Sequence, residues 1–536
     1  MNSMEFNTHS KGRNLEIMSK PIGFVCETKS DTVKFYLDKK ARISFGQIVR
    51  IKSVESQFYA RVVNAQSSST LQITEQLRHA EGKEVFGPYS CFRSVEAVLF
   101  LEKIEGKIRA PTFNPDYKDQ VYATEEEDHS ILKLAGEMNL GLMRSGKQVL
   151  GSVGIDIDSI PRMMGMFGMT GSGKTNTELI LNAQLIDNSP KTVALIFDFA
   201  GQLLEGKEIK SQKGLKDHPL FHMKVRYYSA RDKKLTVGLR TIRPEKLSIL
   251  FSDLSYPQRR FAQALYKQYG ETWIESALKI YEEGEKFKTK ADKKASAALM
   301  QKLSSLPEDL FPLASYSVIE DIVKNICDGI TCLIDISGLR EEDQKRLVCL
   351  IAFTVAKKYK WMWEERYKEW QKLPTLLITL EEAHEFLDPA SPKTIFSDIA
   401  LTYRKYRVGL NAVTPRPSRI DFDVFAELWT KVIMKTELKN DRKYLTDNTP
   451  YMEYSDTEIK MLDIGEALLI SEPKIRFAVP IKVLHYPEYL KQRKAEDYGL
   501  PESPALKNMD ESLKRLNKKG KSLFQEEWER GTRSKT

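Results

Sequence analysis

Cysteine is scarce in this chain, five residues in 536, and Cys26, Cys91, Cys327, Cys332 and Cys349 show no C-x-x-C spacing. That excludes a disulfide scaffold or a zinc ribbon as the organising principle and leads to the expectation of a reducing cytoplasm. Long apolar runs are missing too. Runs such as Leu376 to Leu380 have the length of a strand, and none approaches the roughly 20 residues a membrane span needs, so no membrane partner is expected. Residues 1–20 are polar, without the apolar core of a signal peptide, and are expected to be disordered. Charge of one sign is limited as well: 83 Lys and Arg against 74 Asp and Glu leave a net +9, which permits a nucleic-acid partner without requiring one. With 41% hydrophobic and 29% charged residues, the chain reads as a soluble globular protein of two or three domains.

What is present is a complete G-x-x-x-x-G-K-[ST] loop running from Gly168 through Met169, Thr170, Gly171, Ser172, Gly173 and Lys174 to Thr175. The apolar run Met163 to Phe167 before it reads as a buried strand. Asn176 to Leu181 after it opens a helical pattern, so the glycines fall at a strand-to-helix turn. Glycine is needed there because the backbone must curl its N–H groups around an anion at a helix N-terminus. Gly168, Thr170, Gly171, Ser172, Gly173, Lys174, Thr175 and Asn176 are therefore the candidate nucleotide-binding residues. Lys174 is expected to reach the β- and γ-phosphates and the Thr175 hydroxyl to bind Mg²⁺, making ATP and Mg²⁺ the expected cofactors.

Around this loop the pattern divides the chain. Short alternating segments, among them Thr32 to Leu37, Gln47 to Ile51, Phe58 to Val63 and Ser94 to Phe100, recur about every ten residues and predict a small β-barrel over 21–110. A proline-bearing and then acidic stretch over 111–135 reads as a linker. Buried strands alternate with helices over 136–242 and 327–490, an α/β pattern that predicts a mostly parallel sheet; 243–326 reads as a helical insertion. In the insertion a helix starting at Pro257 carries Phe261, Leu265, Tyr269, Trp273 and Leu278 on one face, a core stripe more than a platform for bases. The lysines at 207, 210, 213 and 216 make a basic loop that is either simply solvated or in contact with DNA. Residues 491–536 are charged, with Leu506, Met509, Leu513 and Leu516 at helical spacing, fitting either a brace on a neighbouring copy or a frayed helix.

The second half of a nucleotide site lies about two hundred residues on. The apolar run Leu376 to Leu380 ends in Glu381 and Glu382, the pattern of a strand delivering carboxylates to a hydrolytic centre. Glu381 would hold Mg²⁺, directly or through water, and Glu382 would polarise the attacking water. Asp198 ends another apolar strand, Thr192 to Phe197, at the sheet edge where α/β folds bind ligands, and is a further metal candidate. His384 has no second histidine or cysteine at ligand spacing and reads as structural. Arg404, Lys405 and Arg407, just before the strand Val408 to Thr414, supply cations suited to charge developing on a phosphoryl group; surface solubility is their other reading.

These motifs in this order resemble a known family. The opening Ile22 to Val25, the GMTGSGKT loop, DFAGQL from Asp198, IDISGL from Ile334, LEEAHEFL from Leu380, YRKYRVGL from Tyr403, RPSRID from Arg416 and IGEALLI from Ile464 are similar to the HerA branch of the HerA–FtsK ATPases, over roughly residues 20–490. The resemblance implies a RecA-like P-loop ATPase core preceded by a small barrel that helps assembly, a homohexameric ring, and translocation of double-stranded DNA through its pore. It implies Glu382 as catalytic glutamate and Arg404 as a finger completing the neighbouring subunit's site, with Arg162 a second candidate. It also implies a separately encoded effector, a nuclease or a sirtuin-like enzyme, in DNA end processing or antiphage defence. One position departs: Pro415 stands where relatives carry a glutamine that senses the γ-phosphate, leaving Thr414 or Asn411 to replace it. An ATP-regulated ring scaffold that activates a partner enzyme, and a conjugative or packaging DNA pump, are the alternatives.

Overall fold

Alternation of apolar and polar residues builds the N-terminal strands. In β1 (Gly23–Lys29) and β2 (Thr32–Leu37), Val25, Val33, Phe35 and Leu37 are buried while most of their neighbours face outward, and β3 (Ile48–Lys52), β4 (Ser56–Ser69) and β5 (Cys91–Ile104) add Ile51, Phe58 and Val95 to the same interior. β6 (Lys107–Arg109) folds back on β5, and β7 (Gln120–Ala123) inserts between β1 and β3. The antiparallel order β2-β1-β7-β3-β4-β5 closes through pairing of β5 with β2, giving a six-stranded barrel. Closure removes the exposed edges of these strands.

The computed structural model describes residues 20–38, 40–69, 91–145, 148–206, 213–232, 235–282 and 290–493. The expected disordered segment 1–20 thus lies almost wholly outside the described residues, as do Lys207 and Lys210 of the basic loop and the tail beyond Arg493. The linker expected over 111–135 is corrected: it contains β7, whose Val121 fills the barrel core, and helix α1 (Glu126–Leu132). Asp128 of α1 is buried and accepts hydrogen bonds from the Arg50 guanidinium at 3.1 Å and the Tyr59 hydroxyl at 2.7 Å, fixing the helix to the barrel wall. A four-residue strand with one fully buried side chain is too short for alternation to reveal.

The chain continues through β8 (Met138–Ser145), β9 (Gln148–Ile155), β10 (Met164–Phe167), helix α2 (Lys174–Asp187), β11 (Thr192–Asp198), β12 (Val225–Ser229), β13 (Thr331–Asp335), helix α3 (Glu341–Glu365), β14 (Thr375–Leu380), β15 (Val408–Thr414), β16 (Thr430–Met434), helix α4 (Asp456–Met461), β17 (Glu466–Ser471) and β18 (Ile475–Val483). The described residues form two units. One holds those of Met1–Ser159, Met164–Gly173 and Thr414–Val483; the other holds those of Ile160–Met163, Lys174–Val413 and from Leu484 onward.

In the first unit the strands beyond the barrel run in the order β10-β16-β17-β18-β8-β9, with β10 parallel to β16 and the rest antiparallel. The barrel is clamped to helix α4 by Arg61, whose guanidinium donates to Glu458 at 2.5 Å, Ser455 at 2.5 Å and the Tyr451 carbonyl at 2.8 Å. Gly46, at φ +73, passes so close to Glu458 that a Cβ there would lie 1.6 Å from its Oε1.

In the second unit β12-β13-β11-β14-β15 form a wholly parallel sheet. β11, β13 and β15 are buried at every position and β14 at all but the first, as sheet strands covered on both faces require. Between β12 and β13 the described residues include the helices Tyr256–Tyr269, Trp273–Glu282, Lys290–Ser304 and Val318–Cys327. The single helix expected from Pro257 through Leu278 is two. Ser255 caps the first through the Gln258 N–H, Gly270 at φ +58 ends it, and buried Trp273 restarts the chain while its indole N–H donates to the Ile242 carbonyl at 2.9 Å. Among the described residues no helix is long and apolar enough to cross a membrane.

Candidate functional site

The glycine loop belongs to the first unit and leaves fully buried β10. A Cβ on Gly168 would press to 2.8 Å of the Met434 Cβ, while Gly171 at φ +80 and Gly173 at φ +111 occupy backbone conformations that side chains resist. Two backbone bonds brace the curve from behind: the Met169 N–H donates to the Lys435 carbonyl at 2.8 Å, and the Gly465 N–H donates to the Ser172 carbonyl at 3.0 Å. The Ser172 side chain is buried with its hydroxyl on the Met434 sulfur, whereas Thr170 and Gly171 are exposed at the rim.

The chain enters the second unit at Lys174, the first residue of α2, with Thr175 partly buried beside it. Burial pushes the Lys174 ammonium below its ordinary pKa, and Glu178, Glu382 and Glu381 pull it back up. Those three carboxylates and Lys174 therefore share one electrostatic environment, although Glu381 and Glu382 are some two hundred residues away along the chain. Glu381 follows β14 inward and its Oε2 accepts the Phe199 N–H at 3.0 Å. Burial and neighbouring Asp198 push its carboxyl up to about 8, against the pull of that N–H and of Lys174. Glu382 turns the other way: its backbone is left-handed, φ 49 and ψ 38, and its side chain is 52% exposed. It lines a cavity of about 350 Å³ together with Phe199, Lys345, His384, Glu385 and Phe386.

Glu178 is the member the sequence did not announce. It lies one helical turn after Lys174, only 1% exposed, and its Oε1 has no hydrogen-bond partner among the described residues. Burial, Glu381 and Asp198 hold its carboxyl well above the usual carboxylate range. The available signal was a lone acid four residues past the lysine, directly before the apolar run Leu179 to Leu181.

Several expected residues have other employment. Asp198, expected as a metal ligand, turns back on its own loop: Oδ1 accepts the N–H groups of Gly201 and Gln202, and Oδ2 that of Leu203. Asn176, expected on the nucleotide, donates to the Leu484 carbonyl at 2.7 Å and accepts the Tyr486 N–H at 2.9 Å, so its amide is spent on a chain segment. Arg407 caps the Gln371 carbonyl at 3.1 Å and lies 4.5 Å over the Trp370 ring, which commits it within its own chain. Arg404 is exposed on the short 3-10 turn Tyr403–Tyr406, and Arg162 is partly buried at the end of another, Ile157–Arg162. Of the proposed substitutes for a sensing glutamine, Thr414 accepts the Arg416 N–H at 3.0 Å, and Asn411 is buried mid-strand opposite Thr379. Among the described residues no cluster of three His, Cys, Asp or Glu could hold a metal by itself.

The family model described as Helicase HerA, central domain, matches residues 138–354. The DNA double-strand break repair helicase HerA of Sulfurisphaera tokodaii is 26% identical over 383 residues, 70% of this chain and 74% of that protein. Its namesake from Pyrococcus furiosus is 22% identical over 544 aligned positions, 88% of this chain and 93% of that protein. Residues 138–354 carry the central domain of helicase HerA, and most of the chain is similar to HerA proteins. The matched HerA central domain takes in the glycine loop, α2, β11 and β13, and stops short of Glu381 and Glu382. Among solved structures, the bacterial conjugative coupling protein TrwB aligns with 60% of this chain and 85% of its own at 16% identity, with a TM-score of 0.41.

Proposed function

We propose that this protein is an ATP-hydrolysing motor that moves double-stranded DNA, assembled as a homohexameric ring and acting beside a separately encoded nuclease or other effector in DNA end processing or antiphage defence. The observation that carries the reading is the electrostatic convergence of Glu381 and Glu382 on Lys174, the lysine that ends the glycine loop. The names of the relatives, double-strand break repair helicases, supply the DNA.

The residues fit Mg²⁺-ATP. Backbone N–H groups curled by Gly171 and Gly173 suit phosphate oxygens, and Lys174 adds a cation. Thr175 and Glu381 would hold the cation with help from the phosphates, since Mg²⁺ takes only one or two protein carboxylates; Asp198 sets the loop behind them. When bound, the metal neutralises charge developing on the γ-phosphoryl group. Glu382, lifted from the strand by its left-handed backbone, accepts a proton from the attacking water, and Arg404 of one protomer completes the site of the next.

A second reading, an ATP-controlled scaffold whose partner does the chemistry, is favoured by Pro415 and by the prior engagement of Thr414. The test is ATP turnover with and without duplex DNA, for the chain alone and with its effector. Glu382→Gln is expected to cut turnover by about 10²- to 10⁴-fold while nucleotide still binds, and Lys174→Ala to abolish binding. Stimulation by duplex DNA supports the motor; retention of the partner's activity by Lys174→Ala in an intact complex overturns the motor, and loss of the complex in that variant with no DNA stimulation of the parent supports the ATP-controlled scaffold.

A further inference from the structure

We propose that His384 is the positioning residue for Glu382, holding its carboxylate at the cavity wall where an attacking water must be met. The inference rests on the reading of Glu382 as the catalytic glutamate and adds to it the side chain that aims it.

A half-exposed glutamate has three rotatable side-chain bonds, and orientation is what it must bring to a proton transfer. Its backbone, in the left-handed region, fixes where the side chain starts but not where it ends. The end is met by His384, two residues on in the turn Ala383–Glu385, whose Nδ1 lies 3.4 Å from the Glu382 Oε2. The ring is itself held from behind. Its Nε2 is 3.4 Å from the Glu385 Oε1, the Glu385 Oε2 is 3.1 Å from the Lys345 Nζ, and Lys345 also grips Glu341 at 2.8 Å. A side chain only 11% exposed, with a carboxylate oxygen 3.4 Å from each ring nitrogen, has its ring placed between two acceptors and can donate to Glu382 whenever Nδ1 carries its hydrogen. A histidine kept merely to fill space has no need of a carboxylate at both nitrogens.

The two ring nitrogens can be tested separately. Asparagine places its amide near the Nδ1 position and can still donate to Glu382; glutamine places its amide near Nε2 and can reach only Glu385. The measurement is steady-state ATP turnover by the full chain with duplex DNA. His384→Ala and His384→Gln are expected to lower kcat by about 10- to 100-fold with KM for ATP changed less than about 2-fold, and His384→Asn to stay within about 3-fold of the parent. Equal losses in the asparagine and glutamine variants, or an unchanged kcat in His384→Ala, overturn the proposal. Should His384→Ala not fold, Glu385→Gln serves: loosening the back of the ring is expected to lower kcat severalfold at constant KM, and an unchanged kcat counts against it. The underlying assignment fails separately, if Glu382→Gln keeps its turnover.

Discussion

Removing the cation that ties the barrel to α4 gives a sharp prediction. Arg61 and Glu458 are 3% and 6% exposed, their contact is 2.5 Å, and Arg61 spends its remaining donors on Ser455 and the Tyr451 carbonyl. Arg61→Met keeps the length of the side chain and removes every donor. Glu458 then remains buried without its main counter-charge, and breaking one half of such a pair costs about 3–5 kcal/mol. With a urea slope of about 3 kcal/mol per molar, the unfolding midpoint of the barrel-bearing unit should fall by about 1–1.7 M. Replacing both partners, Arg61→Met with Glu458→Met, removes the stranded charge and should return the midpoint to within about 0.3 M of the parent or above it. The loss in the single variant should also shrink as pH falls, because a protonated Glu458 strands no charge. The assay is urea unfolding followed by tryptophan fluorescence and circular dichroism. A single variant within about 0.3 M of the parent, or a double variant as weak as the single, would refute the reasoning.

Three further outcomes are expected. Arg404→Ala should reduce DNA-stimulated ATP turnover by about 10³-fold or more without moving the melting temperature, whereas Arg407→Ala, which uncaps Gln371 and bares Trp370, should lower stability by about 1–2 kcal/mol; the reverse pattern would exchange their roles. Asn176→Ala should release the 484–486 segment, losing about 1–2 kcal/mol in thermal unfolding and raising hydrogen exchange at the Tyr486 amide. Glu381 has a folded pKa of about 8, above its unfolded value near 4.3, so the nucleotide-free protein binds more protons folded than unfolded between those limits and loses stability as pH rises through that window. Glu381→Gln should flatten the dependence of melting temperature on pH from 5 to 8, and a slope equal to the parent's would contradict the assignment.

The readable parts of this chain are those whose cause is local. Gly171 and Gly173 declare a left-handed turn by their identity, and the buried strands β11, β13 and β14 by unbroken apolar runs, so the P-loop α/β core was plain before any coordinates. The barrel declared itself through alternation at Val33, Phe35 and Leu37. What could not be read depends on partners far along the chain. β7 is a strand only because β1 and β3 flank it, Asn176 is a clamp only because residues 484–486 return to it, and Arg407 is committed only because the chain leaves the Gln371 carbonyl and the Trp370 ring beside it. Glu178 shows the opposite failure. Its helix was expected, but its burial among like charges contradicts local preference, and only the assembled sheet shows which neighbours it keeps.

The rear bracing of the glycine loop has a consequence for how a nucleotide is received. Because Gly465 and Lys435 hold the backbone bent from behind, a phosphate bound as proposed would enter a mould rather than shape a glove. On the proposed reading, little ordering entropy would be left to lose on arrival, and a substitution as remote in sequence as Gly465 would act on the nucleotide as though it were made in the loop itself.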